Sequence, residues 1–269
     1  MRESRIMDVT TTLTAALTDY AFEPINLGES GASVWRCSMD AAPTLYLKTA
    51  ALVAGLRLDE EAERLRWMKT HDLPVPTVRE YGHTDNAEYL LLDQVSGVPA
   101  SDPSWRRFLP EVVTALGQGL ARLHHTPIAD CPFNHRIVWQ VNEACRRVAA
   151  GLVREEDFDD ERLGRRATEL LTELLATTPA EEDLVFTHGD FCLPNVVLDR
   201  TADGKLHVAG LVDCGSAGVA DRHRDLALAI RSITHDLGRG WVRPFLRAYG
   251  LPHPQPDRLR FYALLDEFF

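Results

Sequence analysis

The chain has 269 residues, 45% of them hydrophobic and 26% charged, with a formal net charge of -11. That length supports one large domain or two small ones, and the acidic balance argues against nucleic acid or an anionic membrane as partner, because both require a basic footprint. No stretch approaches the about 18 unbroken apolar residues of a membrane span, and the N-terminus lacks a signal-peptide pattern, so a cytoplasmic protein is expected.

From about Ile25 to Val95 the signals are mostly strand and turn: the Gly28–Gly31 loop, then Val34 to Cys37, Thr44 to Lys48, Val75 to Tyr81 and Tyr89 to Leu92. One helix interrupts them, since Leu58, Glu61, Ala62, Leu65 and Met68 recur at helical spacing until Pro74 forbids continuation. After a short linker at about residues 93 to 99 the pattern turns helical: Pro110 to His125, Arg136 to Gly151, Glu161 to Thr177, Asp221 to Leu237, and Asp257 to the end. Between them lies a hairpin, Asn195 to Asp199 and Leu206 to Asp213, joined by a turn at 201–205. The outline is an α+β chain with a small sheet-plus-helix lobe, residues 1–95, and a larger helical lobe, residues 96–269. Five scattered cysteines without a CxxC pair suggest neither a disulfide framework nor a zinc site.

The chemistry concentrates in THGDFCLPN, residues 187–195, and GLVDCG, residues 210–215. His188, Asp190 and Asn195 precede the hairpin, and Asp213 and Gly215 end it. In phosphoryl transfer one Asp orients the attacking hydroxyl, while an Asn and a second Asp hold the magnesium ions that neutralise phosphate charge. Each residue alone is a common turn former; their joint spacing carries the reading.

The first lobe offers a partner set. Period-two alternation in LYLK, residues 45–48, puts Tyr46 and Lys48 on one strand face, where Lys48 meets phosphates and Tyr46 lies nearer the base. Glu60, Glu61 and Glu63 are candidate partners for the lysine, and only Glu61 shares the inward helix stripe. Taken separately, these residues read as an edge-strand charge and a solvated helix face. GxxxxGK[ST] and GxGxxG are both absent, so neither a P-loop nor a dinucleotide fold is available.

With LYLK, the EAERLRWM helix, DLPVP, DCPF at 130–133, LVFTHGDFCLPN, GLVDCG, ADRHRDLALAIRSI and the closing LLDEFF, the chain resembles the aminoglycoside 3'-phosphotransferases, the kanamycin and neomycin kinases, from about Ile25 to Phe269. The DCPF and LLDEFF elements separate this group from choline, fructosamine and macrolide kinases. The resemblance implies a protein-kinase-like two-lobed fold and phosphorylation of the 3'-hydroxyl of aminoglycoside antibiotics, with ATP and Mg2+ as cofactors and antibiotic resistance as the outcome. It implies Asp190 as the catalytic aspartate, Asn195 and Asp213 as magnesium ligands, Lys48 on the α- and β-phosphates with Glu61 as its ion-pair partner, and Tyr46 stacked on adenine. Ser30 falls on the loop over the phosphates, and Asp93, Gln94 and Val95 fall on the hinge beside adenine.

The acidic run at 155–161 would otherwise read as a solvated helix start. The resemblance instead places Asp159, Asp160 and Glu161 in the antibiotic pocket with Arg231, His235, Asp266, Glu267 and the terminal carboxylate of Phe269, where carboxylates attract ammonium groups. Two positions depart from the family: Ser216 stands where arginine is usual after D-x-G, and His235 where many members carry an acid. Two other readings stay open, a kinase acting on another hydroxyl such as the 3''-position of streptomycin, and a nucleotide-binding module without catalysis. The expected assembly is a monomer or weak dimer, with no nucleic acid and no membrane partner.

Overall fold

The structure is a computed structural model that describes residues 17, 19–25, 32–52 and 57–269. Two compact units emerge, Met1–Gly97 with Ala209–Gly215, and Val98–Val208 with Ser216–Phe269.

The first unit is built on a five-stranded antiparallel sheet of β1 (Ala21–Ile25), β2 (Ser33–Ser38), β3 (Leu45–Ala51), β4 (Val78–His83) and β5 (Ala87–Asp93), in the order β1-β2-β3-β5-β4. Tyr46 pairs with Arg36 and Leu92, and Lys48 with Val34 and Leu90. The alternation expected of β3 holds: Leu45 and Leu47 enter an apolar cluster with Leu17, Cys37, Ala87, Tyr89 and Leu91, which turns Tyr46 and Lys48 to the other face. The helix α1 (Leu58–Thr70) follows, with Leu58, Glu61, Ala62, Leu65 and Met68 buried as the stripe requires. Its first amide has no side-chain cap from Arg57 and donates instead to Glu88 Oε2 at 2.9 Å. The helix stops at His71, and Asp72 takes a left-handed φ of 54° before Leu73 and Pro74.

In the second unit come β6 (Val98–Pro99), α2 (Leu109–His124), α3 (Ile137–Ala149), α4 (Ala167–Ala176), β7 (Leu184–Thr187), β8 (Val196–Arg200), β10 (Gly218–Asp221), α5 (His223–Asp236), α6 (Val242–Tyr249) and α7 (Pro256–Asp266); β9 (Leu206–Leu211) begins in this unit and ends in the first. β10 pairs antiparallel with β7, and β6 with β8. Gly117 lets α2 meet α6 closely: a Cβ there would stand 2.7 Å from Ala248 Cβ and from the Phe245 carbonyl oxygen. A second apolar cluster, including Ile137, Phe158, Leu170, Leu174, Phe261, Tyr262, Leu265 and Phe268, ties the last residues of the chain into helices α3, α4 and α7.

The sequence expectation of a helix from Glu161 to Thr177 is corrected: α4 starts only at Ala167. Residues 160–164 form turns that end at Gly164, φ 82°, and Glu155 accepts a hydrogen bond from the Ala167 amide at 2.8 Å. β1, β6, β10 and α6 lay outside the sequence reading. α6 contains Pro244 in its first turn, where the missing N–H costs nothing, and β10 is only four residues long. None of the described helices is long and apolar enough to cross a membrane.

Candidate active site

In the first unit, Lys48 Nζ lies 2.7 Å from Glu61 Oε2 and 2.6 Å from Asp213 Oδ1. The lysine and Glu61 side chains are only 10% and 4% exposed, whereas that of Asp213 is 40% exposed. Burial alone would pull the lysine pKa down, but Glu61 and Asp213 outweigh it and hold the ammonium above its ordinary range. Of the three glutamates on α1 open to Lys48, the structure selects Glu61, the one on the buried stripe.

Asp213 itself sits in the left-handed region, φ 58°, which aspartate tolerates better than most residues and which the surrounding fold must enforce. The strand that delivers it is packed closely: a Cβ at Gly210 would meet Val95 Cγ1 at 2.1 Å, and the Leu211 amide donates to the Pro74 carbonyl at 2.7 Å. Around Val95, the amides of Asp93 and Gln94 are spent on the carbonyls of Thr77 and Thr44. Ser30 and the Gly28–Gly31 loop lie outside the described residues.

The second unit carries Asp190 on the loop between β7 and β8. Asn195 Nδ2 donates to Asp190 Oδ2 at 2.7 Å and to the Asp190 carbonyl at 3.2 Å, which brings the two residues together and turns the amide oxygen of Asn195 away from that carboxylate. Gly189 adopts φ 83°, and a Cβ there would fall 2.1 Å from the Ser216 carbonyl oxygen, so only glycine fits. His188 is fully buried and its Nδ1 faces the Asp190 amide at 3.2 Å.

What fixes this loop is a residue the sequence reading missed. Asp225 on α5 accepts the amides of His188 and Gly189, at 2.7 and 2.8 Å, and faces His124 Nε2 at 3.0 Å; His124 Nδ1 in turn meets the Tyr249 hydroxyl at 2.7 Å. Hydrogen bonds and the two nearby imidazoles oppose burial and hold the Asp225 carboxyl below its ordinary value. Ser232, about two helical turns further along α5, accepts the Leu193 amide at 2.9 Å. The signal available beforehand was an aspartate on the apolar stripe of a helix, ordinarily a mark of a buried, hydrogen-bonded role.

The predicted antibiotic-facing residues of the second unit divide into two groups. Asp159, Arg231, Asp266 and Glu267 come together: Arg231 bridges Asp159, at 3.3 Å, and Asp266, while Arg162 bridges Asp159 and Glu267, at 3.5 and 2.9 Å. Burial pushes the Glu267 carboxyl up to about 7, against the pull of the Asp159 amide that donates to it. The Phe269 and Phe268 carbonyl oxygens are gripped by Arg147. Asp160 and Glu161 are exposed, and His235, its side chain 86% exposed, pairs with Asp236 at 2.8 Å. Each acid of the first group therefore already has a cation beside it, which composition could not reveal.

Comparison with known proteins gives the chain its family. Residues 21–262 match the family model described as Phosphotransferase enzyme family. An aminoglycoside 3'-phosphotransferase of Streptomyces fradiae is 41% identical over 261 residues, covering 93% of this chain and 96% of its own. Among solved structures, an aminoglycoside-3'-phosphotransferase of type VIII superposes with a TM-score of 0.87 at 39% identity, covering 98% of this chain and 99% of that one. Aminoglycoside phosphotransferase APH(3'')-Id from Streptomyces rimosus, in complex with ADP and streptomycin, superposes with a TM-score of 0.80 at 29% identity, covering 98% of both chains. The chain therefore belongs to the phosphotransferase enzyme family, in its group of aminoglycoside 3'-phosphotransferases.

Proposed function

We propose that this protein transfers the γ-phosphoryl group of ATP to the 3'-hydroxyl of an aminoglycoside, and so confers resistance to kanamycin- and neomycin-type antibiotics. The observation that carries the reading is the Asp190–Asn195 pair, a carboxylate oriented at 2.7 Å by an amide whose oxygen is left to face elsewhere. Asp190 accepts the proton of the attacking hydroxyl as its oxygen bonds to the γ-phosphorus, and the bond from that phosphorus to the β,γ-bridging oxygen breaks to release ADP. Because such transition states are loose, alignment and charge neutralisation contribute more than base strength, which is consistent with a loop anchored through Asp225 rather than a strongly activated base.

Lys48, held by Glu61, is assigned to the α- and β-phosphates, Tyr46 to the adenine face and Val95, with Asp93 and Gln94, to the adenine edge; Ser30 is assigned to the phosphate loop. The carboxylate of Asp213 and the amide oxygen of Asn195 are hard oxygen donors of the type magnesium takes, so these residues fit the metal that the reaction requires. Magnesium, when bound, would neutralise charge on the transferring phosphates. Asp159, Asp160, Glu161, Asp266, Glu267 and the C-terminal carboxylate supply negative charge for the substrate's ammonium groups, with Arg231 and His235 adjusting it. The identity of 41% to a 3'-phosphotransferase of Streptomyces fradiae, against 36% to a streptomycin 3''-kinase of Streptomyces griseus, favours the 3'-position by a small margin.

The test is an ATP-coupled assay on kanamycin, neomycin, streptomycin and a kanamycin analogue lacking the 3'-hydroxyl. Turnover of the first two alone is expected. Equal turnover of the 3'-deoxy analogue, or activity on streptomycin only, would reject transfer to the 3'-hydroxyl.

A further inference from the structure

Arginines Arg162, Arg222, Arg231 and Arg258 of the second unit each have a carboxylate within 4.0 Å. Arg224, at the start of α5, makes its polar contacts elsewhere: Nη1 donates to the Ser216 carbonyl at 3.3 Å and lies 3.3 Å from His135 Nδ1. The same Nη1 packs against the backbone just before Asp190, 2.9 Å from where a Cβ on Gly189 would stand. Arg224 is thus the immediate chain neighbour of Asp225, which takes the amides of His188 and Gly189. Consecutive side chains on one helical turn bracket the two residues that precede Asp190, one by accepting their N–H groups and the other by tying the Ser216 carbonyl against Gly189.

Among the described residues no carboxylate lies within 4.0 Å of this half-buried guanidinium, and a charge taken from water without an ion-pair partner costs stability. Burial pulls its pKa down, and the carboxylates of Asp225, Asp266 and Asp190 act in the opposite direction, which places Asp190 within its field. One nitrogen, Nη1, meets both the Ser216 carbonyl and the His135 ring, so the contact to the segment after Asp213 and the packing against Gly189 are set by the same atom.

We propose that Arg224 is a positioning residue for phosphoryl transfer, locking the segment after Asp213 to Gly189 so that Asp190 keeps its direction toward the acceptor hydroxyl. The inference rests on the kinase reading above. It is tested in the full-length protein with ATP and kanamycin, by comparing wild type, Arg224→Gln and Arg224→Ala, the last with and without added guanidinium chloride at low concentration. Expected for Arg224→Gln is a kcat lower by about 10- to 100-fold, with both KM values nearly unchanged, as befits alignment lost only at the chemical step. Guanidinium should restore part of the lost kcat of Arg224→Ala. A kcat for Arg224→Gln within about twofold of wild type would overturn the proposal, since misalignment costs far more. A loss in Arg224→Ala that guanidinium does not relieve, accompanied by a lowered melting temperature, would also overturn it by showing a merely structural role. An inactive wild type would instead bring down the kinase reading, and is told apart by that control.

Discussion

Each unit contains a cation held between two carboxylates, and the two arrangements differ in depth. Lys48 lies between Glu61 and Asp213 with its side chain 10% exposed, whereas Arg231 lies between Asp159 and Asp266 at 40% exposed. A buried ion group is costly to disturb, because removing one member strands a charge away from water. An exposed one is worth little to stability and exchanges partners readily. Under the proposed function, the first arrangement would suit a fixed nucleotide contact and the second acids that exchange partners with a substrate's ammonium groups.

The sharpest way to break this comparison is at neither cluster but at the reacting atom. Asp190→Ala is expected to lower kcat by about 10³-fold or more, within the range of a lost proton acceptor, while ATP affinity by calorimetry stays close to wild type. Retained turnover would remove Asp190 from the mechanism. Lys48→Met tests the buried cluster: it should raise the KM for ATP strongly and destabilise the protein by about 3 kcal/mol, because Glu61 is left buried without its cation. A denaturant melt showing unchanged stability would mean that Glu61 finds another partner.

Asp266→Asn tests the exposed cluster, and its effect should be confined to the substrate. The KM for kanamycin is expected to rise by about tenfold, equivalent to about 1.4 kcal/mol, with the melting temperature and the KM for ATP unaffected. If the melt shifts as far as that of Lys48→Met, the contrast in depth has no energetic meaning. A further effect concerns pH. Folded Glu267 keeps its proton up to about pH 7, while the unfolded chain releases it near the ordinary 4.5. The folded state therefore binds more protons in that window, and its contribution to stability falls as pH rises through it. Melting temperatures of wild type and Glu267→Gln, followed from pH 5 to 7, should diverge in favour of the variant; parallel curves would contradict the raised value.

Much of this was legible in the residues. The alternation of LYLK oriented Lys48, the stripe of α1 singled out Glu61, and the joint spacing of Asp190, Asn195 and Asp213 named the reaction class. These are local properties, set by strand and helix periods that require only near neighbours. Other features needed the chain to close on itself. The start of α4 at Ala167 rather than Glu161 depends on Glu155 reaching forward and on the turn at Gly164. That Asp225 holds the amides of His188 and Gly189, across 37 and 36 positions, has no local signature beyond an aspartate in an apolar stripe.

The substrate side shows the same division most clearly. Sequence alone determined that acids cluster at 155–161 and at the C-terminus, because composition counts charge. Only the tertiary structure decided which cation each acid meets: the packing of α5 and α7 brings Arg231 to Asp266, and the turn before α4 brings Arg162 to Glu267. Electrostatic effect depends on distance and burial rather than on order along the chain, so the pairing is a property of the folded state.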